Sequence, residues 1–366
     1  MDFIHGPPVR IEPYFGYRSA TRLTISGRAL RANKPGLEKR GRLQAIRTMI
    51  AQFASREEPD LAVELELKST AGVTTRHAAT TDREGYVHFD LPLSPAWDQP
   101  EHTRWETVTF HWRNRHGAAC VDGYVLVPGT ADGLGVISDI DDTIIETGIT
   151  GGFRSVLRNW RRVIAQMPEE RLAVPGVDAF YGSLGGGAVL STEEGHAGER
   201  LDATRRPFFY VSSSPWNLFA YLVAYMHVRK LPLGPIRLRD WGLNRETFGS
   251  SSHGAHKTQA IQQILDFYPE RNFAMIGDDT QGDFAAFSQI AVGNPGRIAA
   301  IFIRSAGDAL SPEEETARHT IENAGVPLWT GNDYTTGHEF LAAIGLDGDG
   351  EASEIVDAVE DEQVTA

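Results

Sequence analysis

From Leu61 the apolar positions fall at every second residue. Leu61, Val63, Leu65 and Leu67 are separated by Ala62, Glu64 and Glu66, the period of a strand with one buried and one solvated face. Asp82-Arg83-Glu84-Gly85 then supplies turn residues, and two further alternations follow, Val87, Phe89, Leu91 and Val108, Phe110, Trp112. Residues 9–32 predict one or two more strands around Tyr14, Tyr17, Leu23 and Ile25, ending at Gly27-Arg28. Between these groups the period changes. Leu43, Ile46, Ile50 and Phe53 recur at helical spacing, with Arg40, Arg42 and Arg47 among them. Short alternating strands separated by turns predict a small β-sandwich-like domain over 1–130, with a helical insertion near 35–57.

Beyond Gly129 the alternation stops. Apolar runs appear at Leu134–Ile137, Phe208–Val211, Phe273–Ile276 and Ile298–Ile303, with helical patterns between them. Runs without alternation describe strands covered on both faces, so 131–345 reads as α/β, a doubly wound parallel-sheet domain. Ligands of such sheets collect at the carboxyl ends of the strands. From Asp347 the chain carries eight acids and no basic residue, and 346–366 reads as a solvated, disordered acidic tail.

Composition adds limits. The chain has 366 residues, 41% hydrophobic and 23% charged, enough for two domains with a core in each. A net charge of -14 argues against sequence-independent nucleic-acid binding, so no nucleic-acid partner is expected. The single cysteine, Cys120, has no internal partner, and it reads as a small buried apolar side chain. The first residues lack a basic segment followed by an apolar core, and no later stretch reaches the ~18–20 apolar residues that span a bilayer. The expectation is a cytoplasmic protein without a transmembrane segment, with peripheral membrane contact left open.

The candidate chemistry sits where the apolar runs end. Leu134–Ile137 leads into Asp139-Ile140-Asp141-Asp142-Thr143. Two carboxylates at alternate strand positions share a face, and a hard divalent cation such as Mg2+ relieves their repulsion. After Phe208–Val211 come Ser212-Ser213-Ser214-Pro215, where Ser214 is positioned to cap a helix starting at Pro215 and Ser212 to hold a phosphate oxygen. Lys257 is read as opening another helix, whose apolar side is Ile261, Ile264, Leu265 and Tyr268. Phe273–Ile276 runs into Gly277-Asp278-Asp279-Thr280-Gln281-Gly282-Asp283. A carboxylate nucleophile, a second carboxylate, a hydroxyl, a lysine and a further acid cluster are the parts that phosphoryl transfer uses. The nucleophile splits hydrolysis into two steps, Asp141 exchanges protons, and Lys257 with Ser212 neutralises the phosphoryl oxygens.

These four segments, in this order, resemble the motifs of the haloacid dehalogenase-like (HAD) phosphatase superfamily. Ser138-Asp139-Ile140-Asp141-Asp142-Thr143-Ile144, the run from Phe209 to Leu218, Leu238-Arg239-Asp240 and His256-Lys257 resemble the actin-patch-type phosphatidate phosphatases, including bacterial members, over roughly 134–305. The resemblance implies an HAD-like Rossmannoid fold with a small helical cap. It implies that Asp139 is the nucleophile, Asp141 the acid and base, and Thr143 a helper orienting Asp141. Ser212 would bind the phosphoryl group with Lys257 beside it. Asp139, Asp278 and the main-chain carbonyl of Asp141 would hold Mg2+, and Asp279 and Asp283 are left between an outer role and a turn role. The implied substrate is phosphatidate or a related lipid phosphate. Lipin-type relatives usually carry glycine where this chain has Asp142.

Two other readings stay open at this stage, a phosphatase for soluble phosphoesters such as sugar phosphates or nucleic-acid 3′-phosphates, and a non-catalytic binding module. His253 and His256 flank Lys257, and Arg239-Asp240 reads equally as an ion pair or a pocket rim. The stretch Phe153–Met167 has Phe153, Val156, Leu157, Trp160, Val163, Ile164 and Met167 at helical spacing among Arg154, Arg158, Arg161 and Arg162. It predicts a basic amphipathic helix that suits an anionic lipid surface or, alternatively, packs as a cap.

Overall fold

The structure is a computed structural model and describes residues 7–31, 56–69, 71–140, 176–189, 201–239, 252–279, 282–305, 307 and 309–347. The expected helical insertion up to residue 55, Asp141, Asp142, Thr143, the basic stretch 153–167, Asp240 and the tail beyond 347 lie outside the described residues.

Nine strands make the first sheet. They are β1 (Val9–Pro13), β2 (Gly16–Arg18), β3 (Arg22–Arg31), β4 (Arg56–Glu57), β5 (Ala62–Lys68), β6 (Thr74–Thr80), β7 (Tyr86–Pro92), β8 (Arg104–Asn114) and β9 (Gly117–Val127). The order is β1-β3-β2-β9-β8-β5-β6, and β4 and β7 both pair with β3. Residues 56–57 thus belong to a strand rather than to the end of the expected helix. The alternation of β5 is realised in its burial, with Val63, Leu65 and Leu67 inside. Asp82 closes the turn before β7 by accepting the Glu84 and Tyr86 amides at 2.9 and 2.8 Å. Strands β7 and β8 are not paired to one another but meet across the core at Phe89 and Phe110, ring centroids 5.9 Å apart. Cys120 is exposed, contrary to the expectation of burial. It lies on β9, where Gly123 and Val125 point inward, so the even-numbered Cys120 takes the solvent face.

The second sheet is α/β and parallel. Strand β10 (Leu134–Asp139) is flanked by β13 (Phe208–Pro215) and β15 (Asn272–Asp278), then by β14 (Ile236–Arg239), β16 (Ile298–Arg304) and β17 (Leu328–Gly331), in the order β14-β13-β10-β15-β16-β17. A small hairpin, β11 (Ala188–Val189) with β12 (Ala203–Thr204), stands apart. One face of the sheet packs Val136, Tyr210, Ile276 and Phe302 against helices α1 (Val177–Leu184), α2 (Phe219–Val228) and α6 (Tyr334–Ala343). The other packs Ile137, Phe209, Met275 and Ile301 against α3 (Ser252–Phe267), α4 (Asp283–Gly293) and α5 (Pro312–Asn323). Coverage on both faces is why these strands read as continuous apolar runs. Among the described residues no helix is long and apolar enough to cross a membrane.

The two sheets share an aromatic seam. Tyr14 lies against Trp216 and Phe219, and Phe15 against Trp105 and Phe219. Arg18, fully buried, is held by the first sheet and reaches the second through its main chain. Its Nε and Nη2 each lie 2.6 Å from a Glu106 carboxylate oxygen, and its main-chain oxygen accepts the Tyr268 hydroxyl at 3.2 Å. Glu106→Ala leaves that guanidinium buried without its carboxylate, so stability falls by about 3–5 kcal/mol. Urea unfolding checks this, and an unchanged midpoint would show that Arg18 does not depend on the pair.

Candidate active site

The site is assembled by strand register. Asp139 ends β10 and stands opposite Val211 of β13, so Ser212 is the next residue along the neighbouring strand. On the other side Ser138 pairs with Ile276, and Asp278 ends β15 two residues further. Because the strands are parallel, all three residues emerge at one carboxyl edge, where the sheet offers a ligand site.

Helices bring two more groups to that edge. Gly282, at φ 78°, precedes α4, and this left-handed residue turns the chain so that Asp283 opens the helix pointing back at the sheet. Asp283 Oδ2 accepts the Asp278 amide at 3.0 Å. At Gly277 the close approach of Asp283 leaves no room for a side chain, since a Cβ there would sit 2.5 Å from Asp283 Oδ2. From α3 comes Lys257, whose side chain is 1% exposed. Its Nζ lies 3.0 Å from Asp139 Oδ1 and donates to Asp283 Oδ1.

Asp139, Asp278 and Asp283 each bring a carboxylate oxygen within 4.8 Å of the other two, all buried. Among the described residues, three buried carboxylates and one buried ammonium leave a formal charge of -2. Burial alone pushes the Lys257 ammonium toward losing its proton. The facing carboxylates of Asp139, Asp283 and Asp278 outweigh that, and its pKa lies above the ordinary lysine value. The raised value has a direct consequence for pH. The stabilisation that Lys257 gains in the fold is fully present below the ordinary lysine pKa of about 10.4 and is lost only as pH rises through the folded value. Lys257 therefore stays a cation across any neutral working range.

The sequence-predicted residues fall into three groups. Asp139, Lys257 and Asp278 are brought together, and Ser212 lies buried on the adjacent strand just past its last pairing with β10, its Oγ accepting the Ser214 amide at 3.0 Å. Asp141 and Thr143 lie outside the described residues. Asp283, left undecided between an outer group and a turn residue, is in the cluster itself. The glycine before it, which lets a loop fold back, was the available signal. Asp279 is turned away and accepts the Ser305 hydroxyl at 2.6 Å.

Two local expectations are corrected. Ser214 does not cap a helix at Pro215. β13 continues to Pro215, with an irregularity after Val211, a single 3-10 turn spans Trp216–Leu218, and α2 starts at Phe219. Pairing of Pro215 with Arg239 on β14 overrides the capping signal. Lys257 is not in the first turn of its helix either. α3 begins at Ser252, which puts Lys257 in the second turn.

Residues 134–305 match the family described as "Phosphatidate phosphatase APP1, catalytic domain". The chain is 33% identical over 179 residues to Phosphatidate phosphatase APP1 of Saccharomyces cerevisiae, which covers 49% of this chain and 27% of that protein. It is 26% identical over 175 residues to an uncharacterized protein of Schizosaccharomyces pombe, covering 47% and 25%. The chain thus spans about a quarter of the length of these curated relatives. Among solved structures, a Bacteroides uniformis beta-glucuronidase aligns over 82% of this chain and 36% of its own, with 11% identity and a TM-score of 0.28. A likeness that weak carries no argument.

Proposed function

We propose that this protein is a Mg2+-dependent phosphomonoester hydrolase that works through an aspartyl-phosphate on Asp139, with phosphatidate or a related lipid phosphate as its substrate. The observation that supports the reading most is the convergence of Asp139, Lys257, Asp278 and Asp283 on one strand edge, inside the segment that matches a phosphatidate phosphatase catalytic domain.

The donor set fits a hard divalent cation. Among the described residues it offers buried carboxylate oxygens with a net charge of -2 to be offset, which suits Mg2+ better than a soft metal. Asp139 and Asp278 would hold it with the main-chain oxygen of Asp141, and Asp283 supports both through Lys257 and the Asp278 amide. When bound, such a cation offsets the repulsion between an anionic nucleophile and an anionic substrate.

The residues divide the work. An Asp139 oxygen attacks phosphorus, forming an acyl-phosphate bond as the bond to the alcohol oxygen breaks. Asp141 gives its proton to that leaving oxygen. It then takes a proton from water as the water oxygen attacks phosphorus, the Asp139–phosphorus bond breaks and inorganic phosphate leaves. Lys257, fixed as a cation, and the Ser212 hydroxyl stabilise the charge spread over the equatorial oxygens.

Phosphate release measured across phosphatidate, lysophosphatidate, sugar phosphates and nucleotides, with Mg2+ or with EDTA, tests this. The expected result is release from the lipid phosphates in Mg2+ that EDTA abolishes. Turnover of soluble phosphoesters alone would remove the lipid assignment. Absence of release from every substrate would favour a binding module, and full activity in EDTA would remove the cation.

A further inference from the structure

Behind the acid cluster, on the opposite face of the central sheet, lie hydroxyls that the proposed reaction does not use. Successive strand residues point to opposite faces, so Asp139 turns toward Lys257 and Ser138 toward α1 and α6. Ser138 Oγ is 2.7 Å from the Asp139 main-chain oxygen and 2.7 Å from Tyr181 Oη. The Tyr181 hydroxyl is in turn hydrogen-bonded to that of Tyr334, the first residue of α6. All three residues are 0% exposed.

The proton count fixes the direction of this chain. A carbonyl oxygen only accepts, so the single Ser138 proton goes to the Asp139 peptide. Tyr181 must then donate to Ser138, and Tyr334 to Tyr181. Three O–H dipoles follow one another and end on the peptide of Asp139. Aligned hydrogen bonds in a dry interior polarise each other, and a partly satisfied chain there is costly. Burial, the largest influence on both phenols, holds Tyr181 and Tyr334 in the protonated form that this order needs. At the far end the charges of Arg304 and Asp278 act on Tyr334 in opposite senses.

Its location gives it a task. The ladder between β10 and β15 ends at Ser138, and the ladder between β10 and β13 ends at Asp139. Sheet pairing therefore stops at the residue whose carboxylate has to be aimed. The hydroxyl chain grips the main chain at that point.

We propose that Tyr334, Tyr181 and Ser138 form a one-directional hydrogen-bond chain that fixes the Asp139 peptide and thereby aims its carboxylate, which makes Tyr181 and Tyr334 positioning residues. The inference rests on reading Asp139 as the nucleophile. A misaimed nucleophile slows the chemical step and leaves substrate binding nearly unchanged, because a small displacement in a reacting geometry lowers kcat.

Tyr181→Phe keeps the ring and removes the link. Leu184→Ala, also on α1 and fully buried, disturbs the same packing and leaves the hydroxyls in place. Phosphate release from p-nitrophenyl phosphate and from phosphatidate in detergent micelles is measured with Mg2+, together with thermal midpoints. The expected result is a kcat about tenfold lower in Tyr181→Phe with KM within about twofold of wild type, and a smaller change in the same sense in Tyr334→Phe. Leu184→Ala should lose thermal stability while kcat stays within about twofold. A Tyr181→Phe variant with wild-type kcat overturns the inference, as does an equal fall of kcat in Leu184→Ala. A wild-type chain that releases phosphate from neither substrate overturns the reading beneath it instead.

Discussion

Asp139→Asn is expected to lower phosphate release by a factor of about 10^4 or more while the fold survives, since on the proposed reading the substitution removes the nucleophile and with it the covalent route. The substitution is nearly isosteric, and it sits at a position 3% exposed, so packing changes little. Electrostatics favour survival as well. The change takes one negative charge from a cluster of three carboxylates and one ammonium, and Lys257 keeps its bond to Asp283. The remaining Asp278 and Asp283 balance the ammonium with one charge over. Stability should therefore stay within about 1–2 kcal/mol of wild type, the range of ordinary substitutions. The check is phosphate release beside a urea midpoint. Wild-type turnover in the variant would remove Asp139 as nucleophile, and loss of folding would remove the electrostatic account of the cluster.

How much of this was legible in the chain follows from what each element packs against. β10, β13, β15 and β16 are covered by helices on both faces, so each shows as an apolar run. β14 and β17, at the two edges, have four residues each and leave no such run. β6, with the sequence Thr-Thr-Arg-His-Ala-Ala-Thr and its side chains mostly exposed, carries no hydrophobic pattern, because an edge strand can be held by its ladder to β5 alone. The start of α2 was misplaced because Ser-Pro is a strong local helix signal, while pairing with β14 is a contact distant in sequence. Asp139, Lys257 and Asp278 stood out as polar residues beside apolar runs. Asp283 did not, because its arrival beside Asp278 depends on the left-handed turn at Gly282. The hydroxyls of Ser138, Tyr181 and Tyr334 were invisible for a related reason. They come from three elements and meet only when α1 and α6 lie on the same face of the sheet.

Lys257→Met is expected to be more damaging to the fold than Asp139→Asn, and the sign of its pH dependence is the sharper test. Methionine fills similar space but leaves Asp139, Asp278 and Asp283 buried with a formal charge of -3 and, among the described residues, no cation in the cluster. Breaking a buried ionic group by removing one partner costs about 3–5 kcal/mol. A buried acid cluster stripped of its cation takes up protons more readily than the unfolded chain, whose carboxylates titrate at about 4. A group whose folded pKa is raised contributes stability that is present below the unfolded pKa and is lost as pH rises through the folded value. The variant should therefore recover toward wild type on acidification to about pH 4 and weaken progressively toward neutral pH. Urea midpoints measured for both chains from acid to neutral pH check this. On the proposed reading Mg2+ would supply the missing positive charge at the same acids, so it should raise the thermal midpoint of Lys257→Met by more than it raises that of wild type. Phosphate release would still fall by about 10^2–10^3, because the proposed donor to the phosphoryl oxygens would be lost. A variant whose stability is flat with pH and indifferent to Mg2+ would mean that the three carboxylates do not share one charge-balanced site.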